Sequence, residues 1–235
     1  MAVTRIDTYG ELLLLTLEQD TLTRGEQDRI LAMGGEDEQE EIGDLLSEAE
    51  AVARPKMLWR VAPIQEKGEN SVRICGVEVV SPLMRKNFDP VGRVFPYVCT
   101  CGAELETWAE AYRDDPLAEF WCEEIRKLYL AHAIQAGRDH IIKTYGFTGY
   151  FAAMNPGSIR EWPLTGQLQL FAMLGREAVL EHAGVRLTDS LLMLPSKSTS
   201  GVAFESGKKY ENCSRCPILK CPNRRAKPDP DIVTR

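Results

Sequence analysis

Cys213-Ser-Arg-Cys216-Pro-Ile-Leu-Lys-Cys221-Pro-Asn-Arg is the segment whose residue types and spacing point most directly to chemistry. Three thiols, separated by two and then four residues, stand in a polar stretch broken by proline, poor surroundings for core cysteines. Thiolates are soft donors, and this spacing lets one loop wrap an ion or a cluster. The order is the reverse of a plant-type ferredoxin run. Lys208, Lys209, Arg215, Lys220 and Arg224 would offset the negative charge of thiolate ligands. A fourth ligand is missing locally, and Cys99 and Cys101, ending a strand-like run, are the candidates to supply it. Three near cysteines with a distant or solvent fourth ligand suit a redox-active iron–sulfur cluster better than a closed structural zinc site, which is the alternative. A tail that holds no metal is the third option.

The other constellations carry less. His132, His140 and His182 share no ligand spacing and read as surface or core residues. The chain has no phosphate-binding glycine loop, hydrolase elbow or metalloprotease helix. The hydroxyl-rich stretch Ser196–Ser200 reads either as an anion- or ligand-binding edge, with Ser198 and Ser200 as its candidates, or as a solvated hairpin loop. The cysteines number seven, and no export signal is read in front of them, so free thiols or metal ligands in a reducing, cytoplasmic setting are expected. Leu12–Leu17 is the nearest approach to a membrane span and falls far short of the roughly 20 apolar residues one needs.

The elements that must position these residues follow from periodicity and punctuation. Of 235 residues, 44% are hydrophobic and 27% charged, ordinary globular values that exclude disordered and disulfide-scaffold classes. Positions 8–53 read as helices, with a stop at Gly34-Gly35 and a second helix over Glu36–Ala53. Strand-like runs follow at Met57–Ala62, Val72–Val80 (interrupted by Gly76) and Val94–Thr100. Ala103–Arg113 and the long Asp115–Tyr145 read as helices, Phe147–Ala153 as a strand and Pro163–Leu174 as a helix. Leu191–Leu194 and Gly201–Phe204 read as extended segments around the loop Pro195–Ser200. Helices and strands without βαβ alternation imply an α+β fold. The division expected is an acidic helical segment over 1–55, an α+β core over 56–205 and a Cys-rich tail over 206–235. Residues 1–53 hold 14 acidic and 3 basic side chains, while 197–235 hold 9 basic and 4 acidic ones. The basic tail has no interleaved aromatics, so nucleic acid is not the expected partner.

One ordered set of segments resembles a known family. Asn155-Pro-Gly-Ser-Ile-Arg-Glu-Trp-Pro-Leu-Thr-Gly-Gln167 is similar to a Ser-Pro-Gly-Tyr…Trp-Pro-Leu…Gln segment. It is followed by Leu187-Thr-Asp-Ser-Leu-Leu-Met-Leu-Pro-Ser-Lys-Ser-Thr-Ser-Gly201 and then the cysteine tail. Ala53-Arg-Pro-Lys-Met and Val98-Cys-Thr-Cys-Gly102, where such proteins read Thr-Leu-Gly, extend the match over nearly the whole chain. The combination resembles stand-alone relatives of the reactivation domain of cobalamin-dependent methionine synthase. The fold this implies is a twisted antiparallel sheet with flanking helices.

The resemblance implies work on a corrinoid carried by a partner, either a corrinoid protein or a corrinoid methyltransferase. Cobalt(I) occasionally oxidises to inactive cobalt(II). The domain covers the corrinoid face and binds S-adenosylmethionine. An uphill reduction is then trapped by a downhill methylation. By this resemblance Asp139, Pro156, Gly157, Ser198, Ser200 and Gly201 are the cofactor-binding candidates. The family's motif of arginine, three residues and Gly-Tyr falls on Ala153, Gly157 and Ser158, so only the glycine remains. The acidic residue of the long helix falls on Gln135, with Asp139 one turn later, and Arg160 and Lys143 are cations that could stand in for the arginine. Weak or absent S-adenosylmethionine binding is expected. The reading is an accessory protein assisting reductive reactivation through an iron–sulfur cluster. Its alternatives are an S-adenosylmethionine-binding protein that methylates cobalt, and a zinc-stabilised, non-catalytic module that binds a corrinoid protein.

Overall fold

The computed structural model describes residues 2–6, 11–17, 22–216, 218–221 and 224–229. Strands β1 (Ala2–Arg5) and β2 (Leu12–Thr16) precede helices α1 (Arg24–Leu31) and α2 (Gln39–Val52). Four strands follow: β3 (Lys56–Arg60), β4 (Ala62–Lys67), β5 (Ser71–Ile74) and β6 (Val77–Val80). Next come α3 (Pro82–Asn87), β7 (Arg93–Thr100), α4 (Ala103–Glu110) and the long α5 (Pro116–Tyr145). Then come β8 (Tyr150–Met154), α6 (Gly166–Leu174) and α7 (Arg176–Ala178), which runs into a π turn at Val179–Ala183. The short β9 (Arg186–Leu187) and β10 (Met193–Leu194) pair with each other, and β11 (Ser198–Ser206) is the last strand described.

The architecture is α+β, an antiparallel sheet flanked by helices, as the lack of βαβ alternation implies. β7 is its axis. One edge of β7 pairs with β11, which pairs in turn with β8. The other edge is shared: β3 takes Tyr97–Thr100 and β4 takes Arg93–Val94. From β3 the sheet continues to β2 and β1, and from β4 to β5 and β6. Pro96 lies between the β3-paired and β4-paired stretches, at a break in the ladder where a strand proline is tolerated. The β5–β6 hairpin turns on Cys75 and Gly76, both at positive φ as a type I′ turn requires.

Period-two alternation sorts side chains between two cores. Val94, Val98, Leu58, Val202 and Phe204 face α6, the π turn and α3. Phe95, Tyr97, Cys99, Met57 and Trp59 face α5 through Ala133 and Ile141. The stripe Trp121, Ile125, Tyr129, Ala133 and Ile141 on α5 repeats every four or eight residues, and each large member gains roughly 1.5–3 kcal/mol from burial. Asp115 caps α5 by accepting from the amides of Leu117 and Ala118, and Gly146 ends it in the left-handed region.

Two readings of the sequence are corrected. Positions 12–16 form a strand and not a helix. Leu12 and Leu14 pack on one core while Leu13 and Leu15 pack on the other, and a strand buried on both faces gives an unbroken apolar run with no period to read. Ser198–Ser200 are the first residues of β11, not a solvated loop, because they pair with Thr100, Cys99 and Val98 of β7. The helical stretch after Leu174 was not legible, being a short α-helix continued by a π turn. Positions 8–10 and 18–21 of the helical reading, and 217, 222–223 and 230–235 of the tail, lie outside the described residues. Among the described residues no helix is long and apolar enough to cross a membrane.

An ionic cluster ties the segment before β11 to α4 and α5. Buried Arg126 bonds Glu106 at 2.7 Å and also Glu123, and Lys197 reaches Glu123 at 2.5 Å. Glu106 also accepts from the backbone and hydroxyl of Ser196. Burial alone would raise the Glu123 carboxyl, but the Lys197 hydrogen bond and the Arg126 charge outweigh it, holding the group below its ordinary 4.5. A depressed carboxylate contributes stability that is complete above its unfolded value and lost as pH falls through its native one. Glu123→Gln is therefore expected to flatten the acid-side fall in the urea midpoint below about pH 4.5. An acid limb identical to that of the parent protein would remove Glu123 as its source.

Candidate functional site at the strand end

Where β8 ends, the chain turns at Asn155-Pro156-Gly157, and Gly157, at φ 80°, donates its amide to the Trp162 carbonyl at 2.8 Å. The Asn155 side chain points back across the sheet. Its Nδ2 donates to the Tyr97 hydroxyl at 3.0 Å and to the Ser200 carbonyl at 2.6 Å. Its Oδ1 accepts from Asn212 Nδ2 at 2.5 Å. This crossing needs a residue without a side chain at Gly201, where a Cβ would lie 2.6 Å from the Met154 carbonyl oxygen and 2.7 Å from Asn155 Nδ2. Ser200 is buried and donates to Gln167 Oε1 at 2.9 Å, while Ser198 Oγ bonds the Pro195 carbonyl at 2.8 Å. Of the hydroxyl candidates, then, Ser200 is spent on the core and Ser198 on its own turn and on the Thr100 hydroxyl of β7.

The tail leaves this point as a folded loop. A 3-10 turn spans Asn212–Ser214, and the Ser214 carbonyl accepts the Asp229 amide at 2.8 Å. Arg224 sits inside the loop. Its guanidinium donates to the carbonyls of Cys213, of Cys216 at 3.0 Å, of Ile218 at 2.6 Å and of Ala226 at 3.3 Å. Arg215 pairs with Glu161, which fastens the loop to the turn after β8. Cys213, Cys216 and Cys221 are free thiols, each half-buried.

Cys99 and Cys101 are placed elsewhere. Both are fully buried, Cys99 beneath α5 and Cys101 against Leu105 and Trp121. Burial pushes the Cys101 thiol up to about 12, with the Glu106 charge adding to it, and burial likewise raises Cys99. A thiol so reluctant to ionise is a weak ligand. Among the described residues no group of three or more His, Cys, Asp or Glu side chains is arranged to hold a metal. The structure does not gather the tail thiols into a ligand set, nor bring Cys99 or Cys101 to them.

A cavity of about 130 Å³ lies at the seam between sheet, α5 and tail. Tyr97, Ala153 and Asn155 line it from the sheet side, Arg138 from α5, and Tyr210, Asn212 and Arg225 from the tail. Arg138 lies over the Phe151 ring at 5.5 Å, and Arg225 is 3.8 Å from Glu211. Arg160 and Lys143, the expected stand-in cations, do not line this cavity; Arg138 and Arg225 do. Asp139 is on the exposed face of α5, accepting from Gln135 at 2.8 Å, and does not line it either. A larger hollow of about 500 Å³ runs past Arg93, Phe147 and Glu205. There the Glu205 carboxylate already accepts from Thr148 and Gly149 and is held below its usual range by those amides.

No family model matches the sequence, and no curated protein matches it either. A solved structure does match: the MetH reactivation domain bound to AdoHcy, with a TM-score of 0.61 and 14% identity over 84% of this chain and 80% of that one. The chain has the fold of that reactivation domain. In this reactivation-domain fold the positions expected to carry the ligand motif fall at one place. Ala153 lines the seam cavity, Gly157 and Ser158 form the turn beyond it, and Pro156 is buried between them. Sequence reasoning passed over Tyr97, Asn155, Asn212 and Tyr210. Asn155 stood inside the quoted segment, but an asparagine before Pro-Gly reads as a turn former.

Two substitutions test the crossing. Asn155→Ala leaves Ser200 O and Asn212 Nδ2 without their partner, and each such loss costs about 1–3 kcal/mol when buried. Hydrogen exchange is expected to quicken at 210–216 before the sheet is affected; unchanged protection there would show that the tail does not depend on Asn155. Gly201→Ala is expected to cost about 1–3 kcal/mol by overpacking, because the obstructing atom is a backbone carbonyl. Denaturant unfolding measures it, and a midpoint equal to the parent's would contradict the close crossing.

Proposed function

We propose that this chain is an accessory protein of a corrinoid-dependent methyltransferase system, assisting reductive reactivation of a corrinoid protein. The observation that carries the reading is the reactivation-domain fold over 84% of the chain, with a thiol-bearing loop pinned to the strand end at Asn155. The tail donors suit a soft metal in kind: Cys213, Cys216 and Cys221 are free, half-buried and on one loop. They would hold an iron–sulfur cluster, with zinc as the alternative occupant, and loading would have to draw the three thiols together. A cluster bound there would supply one-electron chemistry. The chain's own part is to hold the loop, through Arg224 from within and through Asn212 and Arg215 at its root.

A second reading is favoured by the seam cavity beside Ala153, since the structural neighbour was solved with AdoHcy: an S-adenosyl ligand bound by this chain. The motif arginine and tyrosine are replaced by Ala153 and Ser158, which removes charge-assisted hydrogen bonds worth roughly 1.5–3 kcal/mol each. The accessory reading therefore stands first.

Anaerobic purification with iron, sulfide and zinc analysis tests the metal. Cys216→Ser takes the middle ligand of the three and is expected to remove most of the bound iron. Iron content unchanged in that variant would exclude the tail as the site, and a colourless protein with stoichiometric zinc would replace the cluster by the alternative.

A further inference from the structure

Cys213 and Cys216 are separated by two residues, the Cys-x-x-Cys spacing of redox-active dithiols. The structure closes a turn between them. Ser214 ends a 3-10 turn and Arg215 follows at φ −106°, ψ −6°, so the two residues between the thiols have the dihedrals of a type I turn. The ends of such a turn lie within about 7 Å of each other at Cα. A disulfide spans about 4.4–6.8 Å between the same atoms. Backbone bonds fix the turn from within: the Ser214 amide donates to the Glu211 carbonyl at 3.1 Å and the Arg215 amide to the Asn212 carbonyl at 2.9 Å. A single guanidinium fixes it from outside. Arg224 donates to the Cys213 carbonyl from one terminal nitrogen and to the Cys216 carbonyl from the other, so the backbones of both cysteines are held on one planar group. Cys221 belongs to a different turn, its carbonyl accepting the Arg224 amide at 3.2 Å. The three tail thiols are free and half-buried, open enough to meet a small reagent, whereas Cys99, Cys101 and Cys122 lie in the core.

We propose that Cys213 and Cys216 are a redox-active dithiol that closes to a disulfide across this turn by exchange with a small-molecule disulfide such as glutathione disulfide. One thiolate of the pair attacks a sulfur of the oxidant, which forms a mixed disulfide and releases one half of the oxidant as a thiolate. The second protein thiolate attacks the protein sulfur of that mixed disulfide, which forms the Cys213–Cys216 bond and releases the other half. Two protein thiols are oxidised, one external disulfide is reduced to two thiols, and the two protons the protein loses end on them. Arg224 is the positioning residue, since it holds the two cysteines together before the bond forms. Cys221 stays a thiol. One consequence rests on the function proposed above: with two of its three thiols bridged, the tail cannot load a cluster or zinc until it is reduced. The exchange itself needs neither metal nor corrinoid.

The test uses the full chain, stripped of metal with a chelator, reduced, and equilibrated in glutathione buffers of rising disulfide content. Samples are quenched, alkylated after denaturation and mapped by mass spectrometry. Free thiols are expected to fall by two from seven, with the bridge at Cys213–Cys216 and Cys221 alkylated. Cys216→Ser is expected to stop at a mixed disulfide on Cys213, and Cys221→Ser to bridge at the parent's half-oxidation point. Arg224→Gln keeps a side-chain donor but loses the fork. It is expected to lower the equilibrium constant for bridging about tenfold, or about 30 mV for this two-electron couple. A half-oxidation point that does not move in Arg224→Gln would overturn the positioning role. A chain that keeps all seven thiols in glutathione disulfide alone would overturn the proposal. So would oxidation that ends in stable mixed disulfides, or a bridge that maps to Cys221. No metal is present in these samples, so a failure here leaves the iron–sulfur reading standing, and a tail found to hold no metal leaves the dithiol standing.

Discussion

The side-chain amide of Asn155 is the point at which three parts of the molecule are made one. Its nitrogen has two protons and spends one on the Tyr97 hydroxyl of β7 and the other on the Ser200 carbonyl of β11. Its oxygen then needs a donor, and the tail supplies Asn212. An aspartate would be isosteric but could not donate to a carbonyl, and a leucine would leave the carbonyl unpaired in the interior. The requirement that buried polar groups be satisfied thus dictates where the tail docks. Gly201 follows from the same constraint, because the amide and the Met154 carbonyl occupy the space a side chain would need.

Much of the fold was legible because its elements obey simple periods. α5 announced itself through Asp115-Pro116 at one end, Gly146 at the other and an apolar stripe between. The β5–β6 hairpin was visible as a run interrupted at Gly76. Leu12–Leu15 was not legible, since a strand buried on both faces carries no alternation. The site was legible in part. Its neighbourhood could be read from the Pro-Gly turn and the Ser198–Gly201 run, but its working atoms could not. Tyr97 lies 58 residues from Asn155 in sequence and Asn212 lies 57 away; strand register brings the first to it and the return of the tail after β11 the second. The pairing of β7 with β11 sets Tyr97 opposite Gly201, and no local pattern encodes that alignment.

The cysteines divide along the same physical line. Cys99 and Cys101 were candidates because they end a strand-like run near a tail that lacks a fourth ligand, yet Cys99 is the last but one residue of β7 and Cys101 the first beyond it. Cys99 is buried between β7 and α5 and Cys101 among α2, α4 and α5, and burial at both places suppresses the thiolate that a metal requires. The tail thiols sit on a loop too short and too polar to bury them. Its shape comes from Arg224, whose planar fork spreads five donors over two terminal nitrogens and Nε and reaches four separate carbonyls, where a lysine offers three donors from a single point. The backbone of the thiol loop is consequently gathered around a cation before any metal is considered.

With Arg138 and Arg225 around the seam cavity, an alanine at position 153, where the resemblance expects an arginine, does not stand alone. Ala153 opens space in the sheet wall without leaving the cavity neutral, because positive charge now approaches from the helix and from the tail. A guanidinium on a strand would be fixed by the sheet, whereas Arg225 on the tail is held through the tail's own anchors, Asn212 on Asn155 and Arg215 on Glu161. The share of the charge that Arg225 brings is therefore tied to the docking of the tail, while that of Arg138 stays with α5. The loop that carries Cys213 and the walls that carry Asn212 and Arg225 rise or fall together, because they are one stretch of backbone closed on Arg224.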